Sequence, residues 1–223
     1  MDAHPDAATA AAVPASVPGR AHYSLEYIKG GRIFSFAHQI DTVISFAPRS
    51  VLEIGVGTGI VTAALRAAGL AVTTLDIQPE LKPDVLGSVT AIPADGGAFD
   101  VTLCAQVLEH LPFAQLSPAL RELRRVTRQG LVLSLPDASP DYFEPPPPRA
   151  RWRSLWARPG HRFPPDYYVQ RQWEVDGHYW ELGFRGSLVS DVEAALHETQ
   201  WHLMKAWRVP EFPYHRFFKL AAA

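Results

Sequence analysis

A glycine-rich turn follows the first strongly apolar run of the sequence. Residues 51–54 form this run, and Gly55, Gly57 and Gly59 come after it at alternate positions. Glycine allows a positive φ angle and a close approach of a ligand to the backbone, and unpaired amides at the start of a helix attract anions. A dinucleotide fingerprint would need its third glycine where Ile60 stands, and the turn has no Gly-Lys pair of the P-loop type. The turn predicts a site for a nucleotide or a carboxylate, and its spacing disfavours NAD and FAD.

Two acidic residues accompany this turn. Glu53 precedes it, and Asp76 ends the next apolar run. At the end of a second strand, an acidic side chain can accept hydrogen bonds from both hydroxyls of a ribose. The combination therefore predicts a ligand that carries a ribose.

Two histidines are candidates for acid–base chemistry. His110 follows Glu109 just beyond the fourth predicted strand, on the edge where ligands of such sheets bind. The alternative is that Glu109 and His110 only brace a loop or cap a helix. His178 lies three positions before Glu181, so on a helical turn the two side chains would share a face. The alternative there is a structural, aromatic-rich lid with solvated charges.

A segment rich in proline, arginine and tryptophan separates the central part of the chain from its C-terminal part. It contains four consecutive prolines and interleaves arginines with tryptophans. Arginine suits carboxylate or phosphate, and aromatic rings stack on planar molecules. We expect this segment, at about residues 137–180, to be a lid that binds a planar or hydrophobic acceptor bearing an acidic group. The candidate acceptor-binding residues are Trp152, Trp156, Tyr179 and Trp180.

The elements that must position these residues alternate between short apolar runs and amphipathic stretches. The apolar runs predict strands over 51–54, 71–75, 84–89, 99–105, 131–135, 201–209 and 214–220. Helical spacing predicts helices over 32–47, 60–68, 115–127 and 188–199. This alternation indicates an α/β fold of the Rossmann-like, doubly wound type, with a seven-stranded, mostly parallel sheet that ends in a C-terminal antiparallel pair.

Composition narrows the class of protein. The chain has 223 residues, of which 47% are hydrophobic and 20% charged, a balance typical of a globular domain. We expect a disordered tail at residues 1–20, because small residues and prolines without periodicity cannot bury enough surface, and a single domain over 21–223. The net charge of −2 gives no global field for nucleic acid, so the local arginines are more typical of a solvated loop.

Cysteine content and hydropathy bear on location. Cys104 is the single cysteine, so the chain has no intramolecular disulfide and a reducing compartment is favoured. A bilayer-spanning helix needs about 20 apolar residues, and the sequence offers no such run. We expect a cytoplasmic protein without a membrane partner, and its oligomeric state is left open.

Six short segments, in order and at the expected spacing, resemble the class I S-adenosylmethionine-dependent methyltransferases, particularly the small single-domain enzymes. The segments are residues 51–59, 75–76, 92–93, 99–101, 107–111 and 131–136. The resemblance covers about residues 32–136. It implies S-adenosylmethionine as the cofactor, and it says little about the acceptor.

The resemblance also implies roles for individual residues. The glycine turn would lie against the methionine part of the cofactor, with Glu53 near its ammonium group. Asp76 would hold the ribose, and Ile77 would pack on the adenine. Ser88 and Val89 stand where the family places an acidic or polar side chain beside the adenine amino group.

Further residues would complete the cofactor site. Ala105 and Gln106 would line the sulfonium side, and Tyr23, Tyr27 and Arg32 could close over the cofactor. Some relatives bind magnesium through a Glu-x-x-Glu-His motif. This chain has Gln106 in place of the first glutamate, so we expect no metal.

The predicted function is transfer of a methyl group from S-adenosylmethionine to an O or N atom of a small, planar or hydrophobic, acidic metabolite. His110 is the best-placed base, with His178 as the second candidate. The alternatives from other classes are a protein that binds S-adenosylmethionine without turnover and an enzyme that uses the sulfonium in a non-methylating reaction. An RNA methyltransferase and an NAD-dependent oxidoreductase are further alternatives.

Overall fold

The computed structural model describes residues 18–139 and 177–222. Within them, the strands are β1 Ser50–Ile54, β2 Ala71–Asp76, β3 Val85–Leu86, β4 Phe99–Ala105, β5 Thr127–Pro136, β6 Trp201–Val209 and β7 Phe212–Ala222. The α-helices in the same part of the chain are α1 Leu25–Ile28, α2 Arg32–Ile44, α3 Ile60–Ala67, α4 Leu116–Val126 and α5 Val189–Glu198. Short 3₁₀ turns are Arg20–His22, Pro79–Leu81, Leu108–His110 and Phe113–Gln115.

The strands form one seven-stranded sheet in the order β3-β2-β1-β4-β5-β7-β6. Neighbouring strands from β3 to β5 pair in parallel, whereas β7 pairs antiparallel with both β5 and β6. The predicted α/β fold with a C-terminal antiparallel pair is confirmed. Because Ile54 is level with Leu75 on one side and Cys104 on the other, the carboxyl ends of β1, β2 and β4 meet at one edge.

Two hydrophobic layers cover the two faces of the sheet, because successive side chains of each strand point to opposite faces. In β1, Val51 packs with α2 and α3 on one face, and Leu52 and Ile54 pack with α4 and α5 on the other. In β5, Val132 joins the first layer and Leu133 the second. The helices therefore cover both faces of the sheet and leave its carboxyl edge to be lined by loops.

Three strands differ most in length from the predictions. The third strand has two residues instead of six, because the carboxylate of Asp84 accepts hydrogen bonds from the Thr74 backbone N–H (2.8 Å) and hydroxyl (2.9 Å) and replaces the strand ladder there. The fifth strand is longer than predicted, because it begins directly where α4 ends at Val126. The last strand extends to Phe212 and Ala222 through its pairing with β6.

The tail and lid predictions fall largely on residues outside the described ranges. Residues 1–17 and 140–176, including Trp152 and Trp156, are among these. Pro18 is described and lines the cavity considered below. The expected tail and the expected domain bounds stay predictions. None of the helices in residues 18–139 and 177–222 has the length and apolar character that crossing a bilayer requires.

Candidate functional site

The glycine turn between β1 and α3 has a left-handed backbone. The φ angles are +82° at Gly55, +52° at Gly57 and +76° at Gly59. A Cβ atom on Gly55 would come within 2.7 Å of Cγ2 of Val107, and one on Gly57 would lie 3.6 Å from the Tyr23 ring. Glycine is thus required for both the conformation and the open space beside the turn.

Two carboxylates brace this turn and also face the same open space. Asp76 accepts hydrogen bonds from the backbone N–H groups of Val56 (2.9 Å) and Gln78 (2.8 Å), which ties the turn to the end of β2. Glu53 accepts a hydrogen bond from the Thr62 hydroxyl at 2.5 Å. Burial raises the pKa of Glu53 to about 7, so part of the population is protonated at neutral pH. A cation beside Glu53 would favour its charged form.

A cavity of about 1160 Å³, including the solvent at its mouth, lies at the carboxyl edge of the sheet. Nine of the ten predicted cofactor residues line it: Glu53, Gly55, Gly57, Asp76, Ile77, Ser88, Val89, Ala105 and Gln106. Gly59, the tenth, shapes the turn without lining the cavity. Tyr23, Tyr27, Arg32 and His110 also line it.

Residues from the N-terminal segment form one wall of the cavity. The rings of Tyr23 and Tyr27 meet edge to face at 5.1 Å, and the Arg32 guanidinium lies 4.0 Å from the centroid of the Tyr27 ring. Burial raises the pKa of both phenols, so they stay protonated at neutral pH. This wall therefore presents a cation and two neutral hydroxyl-bearing rings.

His110 reaches the cavity with a defined tautomer. Its Nδ1 lies 2.9 Å from the carbonyl oxygen of Gly177, and because a carbonyl only accepts, Nδ1 carries the proton and Nε2 the lone pair. Within the described residues, no hydrogen-bond partner occupies Nε2. Burial, followed by the nearby His178, lowers the pKa of His110 to about 4. The imidazole is therefore neutral at physiological pH.

The residues after the undescribed segment dock on the loop that carries His110. The Tyr179 backbone N–H donates to the Glu109 carbonyl at 2.8 Å, and the Trp180 indole N–H donates to the Leu111 carbonyl at 2.9 Å. Trp180 is buried and meets Phe113 edge to face at 5.0 Å. Trp180 is buried and Tyr179 is half-buried, and neither is among the residues that line the cavity. Acceptor binding by these two residues stays a prediction.

His178 contacts His110 through this docking. The two ring centroids are 4.8 Å apart, and Nδ1 of His178 lies 2.8 Å from a carboxylate oxygen of Glu181. Tyr214 donates to the same Glu181 oxygen at 2.5 Å. His178 and Glu181 share a face as predicted, but through an irregular loop and not a helical turn.

Glu109 lies behind His110 with its carboxylate completely buried. Neither carboxylate oxygen has a hydrogen-bond partner within the described residues. Burial raises the pKa of this carboxyl to about 7. Glu109, His110 and His178 each offer one ligand atom, and these atoms all lie within 4.8 Å of one another, so this group has the composition of a metal site.

His215 on β7 is a cavity residue that the sequence-based reasoning missed. It is 2% exposed, and neither ring nitrogen has a hydrogen-bond partner among the described residues. Burial and the positive charge of Arg32 lower its pKa to about 3, so it is a neutral ring. Alternate side chains of a strand share a face, so His215 and the buried Phe217, two positions apart, lie on the same side of β7. This period could have indicated that His215 points inward.

Residues 52–135 match the family model described as a methyltransferase domain. This stretch therefore resembles a methyltransferase domain, in agreement with the expected class I S-adenosylmethionine-dependent methyltransferase family. An uncharacterized methyltransferase of Mycobacterium tuberculosis and its Mycobacterium bovis counterpart are each 34% identical to the chain over 109 residues, which are 44% of this chain. The match spans 45% of the length of these curated relatives.

Solved methyltransferases share the fold over most of this chain. Magnesium protoporphyrin IX methyltransferase from Synechocystis, with bound S-adenosylhomocysteine, superposes with a TM-score of 0.57 at 16% identity, covering 86% of this chain and 85% of that one. The 1,6-didemethyltoxoflavin N1-methyltransferase of Burkholderia thailandensis gives 0.58 at 15% identity, covering 85% and 78%. At this identity the likeness concerns the fold.

Proposed function

We propose that this protein transfers the methyl group of S-adenosylmethionine to an O or N atom of a small, planar or hydrophobic acceptor that carries an acidic group. One observation carries the proposal. A single cavity joins the glycine turn and Asp76 to a second region bounded by Arg32, His110 and His215. A cofactor and an acceptor can therefore lie side by side in it.

The residues of the first region fit S-adenosylmethionine. The cavity-facing turn has no side chains at Gly55 and Gly57 that would fill the space, and Asp76 and Glu53 supply two buried carboxylates. Asp76 would accept hydrogen bonds from ribose hydroxyls, Glu53 would face the ammonium group, and Ile77 would pack on the adenine. When bound, this cofactor supplies a methyl group on a positively charged sulfur.

The methyl donor is already activated, so the chain contributes mainly by placing the acceptor atom and excluding water. The wall formed by Tyr23, Tyr27 and Arg32 supports this role, because its side chains are half-buried and Arg32 supplies a cation. Arg32 beside two neutral histidines suits an anionic group on the acceptor.

His110 is the residue we propose as the proton acceptor. Its Nδ1–H is held by the Gly177 carbonyl, so Nε2 is presented to the cavity in its basic form. A lowered pKa makes this imidazole a weak base, which fits an acceptor with an acidic proton, such as a phenol, more than an alcohol. His178 contacts the His110 ring and positions it, with Glu181 holding His178 in turn.

Calorimetry with the purified chain tests the cofactor, and a product assay tests the reaction. S-adenosylmethionine should bind and NAD should not, and Gly57→Val or Asp76→Ala should abolish binding. Gly69→Ala is a matched control, because Gly69 also has a positive φ (+88°) but has nothing within 4 Å and does not line the cavity.

The chain should then form S-adenosylhomocysteine with at least one member of a panel of small phenols, carboxylic acids and amines. Binding without product across the panel would favour a protein that holds the cofactor without turnover. Preferential binding of NAD would favour an oxidoreductase.

A further inference from the structure

We propose that Glu109, His110 and His178 form a binding site for a divalent transition-metal ion at the wall of the cavity. One carboxylate oxygen and one ring nitrogen from each histidine lie within 4.8 Å of one another. A modest inward shift would bring them to the separations found around a metal, whose bonds to such atoms are about 2.0–2.2 Å long.

The first support is the state of the Glu109 carboxylate. It is fully buried, and neither oxygen accepts a hydrogen bond from another described residue. A buried carboxylate in this state is costly, because desolvation is not offset by hydrogen bonds, and such groups are ordinarily paired or coordinate a metal. The two histidine rings are the polar groups that the fold places against it.

The second support is the outer contact of each histidine. Nδ1 of His110 lies 2.9 Å from the Gly177 carbonyl oxygen, and Nδ1 of His178 lies 2.8 Å from the Glu181 carboxylate. Histidines that bind metals almost always donate their other ring N–H to a carbonyl or a carboxylate, which fixes the tautomer and the ring orientation. Both histidines of this cluster have that arrangement, and each partner comes from the docked segment after residue 176.

The ligand set also selects the class of ion. Two imidazoles and one carboxylate suit zinc, iron, cobalt or nickel, whereas magnesium prefers an all-oxygen shell. The sequence-based expectation of no metal relied on Gln106, which stands where an oxygen ligand of a magnesium motif would be. In the structure a ring nitrogen of His178 joins the cluster instead, and no local motif indicates it because Gly177, the residue before it, is 67 positions from His110.

The place of the cluster gives the ion a role that rests on the proposed methyl transfer. His110 belongs both to the cluster and to the cavity wall, so a bound ion lies beside the acceptor region. A three-ligand site keeps positions open, and an acidic group or oxygen of the acceptor could occupy one. In the metal-loaded protein His110 is then a ligand, and the ion replaces it in activating the acceptor.

Cobalt titration of the full chain, stripped beforehand with a chelator, tests the site. We expect one equivalent of Co²⁺ to bind and to produce visible d–d absorption, Zn²⁺ to displace it, and Mg²⁺ at the same concentration to have no effect. Glu109→Gln keeps the shape of the side chain and should abolish this signal, as should His178→Asn. Glu181→Gln should weaken binding by about 10–100-fold, the usual effect of losing an outer contact.

His215→Asn is the matched control, because His215 is a buried histidine of the same cavity outside the cluster. It should bind Co²⁺ like the wild type. Circular dichroism and S-adenosylmethionine binding should show that each variant is folded, since neither readout needs the metal. Absence of a stoichiometric site in the wild type, or an unchanged signal in Glu109→Gln, would refute the proposal.

The test also separates this proposal from methyl transfer. If the chelator-treated chain forms S-adenosylhomocysteine at an undiminished rate and binds no Co²⁺, the metal site is refuted and His110 remains the proposed base. If the chain binds Co²⁺ but not S-adenosylmethionine, the metal site is supported and the proposed function is refuted.

Discussion

Replacing Gly55 by alanine should destabilise the protein through two separable effects. The first is backbone strain, because φ is +82° and a left-handed L-residue costs about 1–2 kcal/mol. The second is overpacking, because the new Cβ would lie 2.7 Å from Cγ2 of Val107, and relieving such a contact costs about 1–3 kcal/mol. Together they lower the free energy of unfolding by roughly 2–5 kcal/mol, or about 4–20 °C in melting temperature for a chain of this size.

Two single variants and one double variant resolve these effects in urea unfolding and calorimetry. Gly69→Ala, with φ of +88° and nothing within 4 Å of the added Cβ, should show the strain alone and leave S-adenosylmethionine affinity intact. Val107→Ala removes the methyl group that Gly55→Ala would meet, so the double variant should recover about 1–3 kcal/mol relative to additivity. If Gly55→Ala is no worse than Gly69→Ala, or if the two changes simply add, the close contact has no energetic role.

Three further predictions concern the cavity. Asp76→Asn should weaken S-adenosylmethionine binding by at least about 10-fold in calorimetry, because a neutral amide loses charged hydrogen bonds to a ribose, and unchanged affinity would contradict this. The unfolding free energy of the wild type, relative to that of Glu53→Gln, should fall as pH rises from 4.5 to about 7. The reason is that native Glu53 keeps a proton that the unfolded chain releases. The fall in unfolding free energy reaches about 3 kcal/mol, and parallel pH profiles of the two proteins would refute it. With a responsive acceptor, His110→Ala should lower turnover by about 10²–10⁴-fold while cofactor affinity stays the same, and His178→Ala should matter less.

The sheet and the cofactor side of the cavity were predictable because their signals are local. Each strand from β1 to β5 is an apolar run, and the glycine turn and Asp76 stand at strand ends whose meeting point follows from parallel topology. The lengths of β3 and β5 were not predictable from the same runs. β3 is short because the Asp84 carboxylate accepts a hydrogen bond from the Thr74 backbone N–H in place of strand pairing. β5 is long because it begins at Thr127, directly after the last residue of α4.

The acceptor side was less predictable because it is assembled from distant residues. His110 meets Gly177 and His178 only when the chain returns after residue 176, and no spacing rule indicates which residue will dock there. His215 reaches the cavity from the antiparallel strand added at the end of the sheet. Trp180 is a residue type that often stacks on ligands, but here its indole N–H donates to the Leu111 carbonyl and its ring is buried in the core.

These long-range contacts concentrate ionisable groups that the fold alone does not need. Buried Glu109 and Glu181 lie close to half-buried His178. His110 and His215 face the same cavity in neutral form. Buried ionisable groups destabilise a domain unless partners compensate them, and apolar residues of similar size would pack there at less cost. None of these residues is among the hydrophobic side chains that build the two layers. Their presence is therefore better explained by what binds at this edge of the sheet than by the stability of the fold.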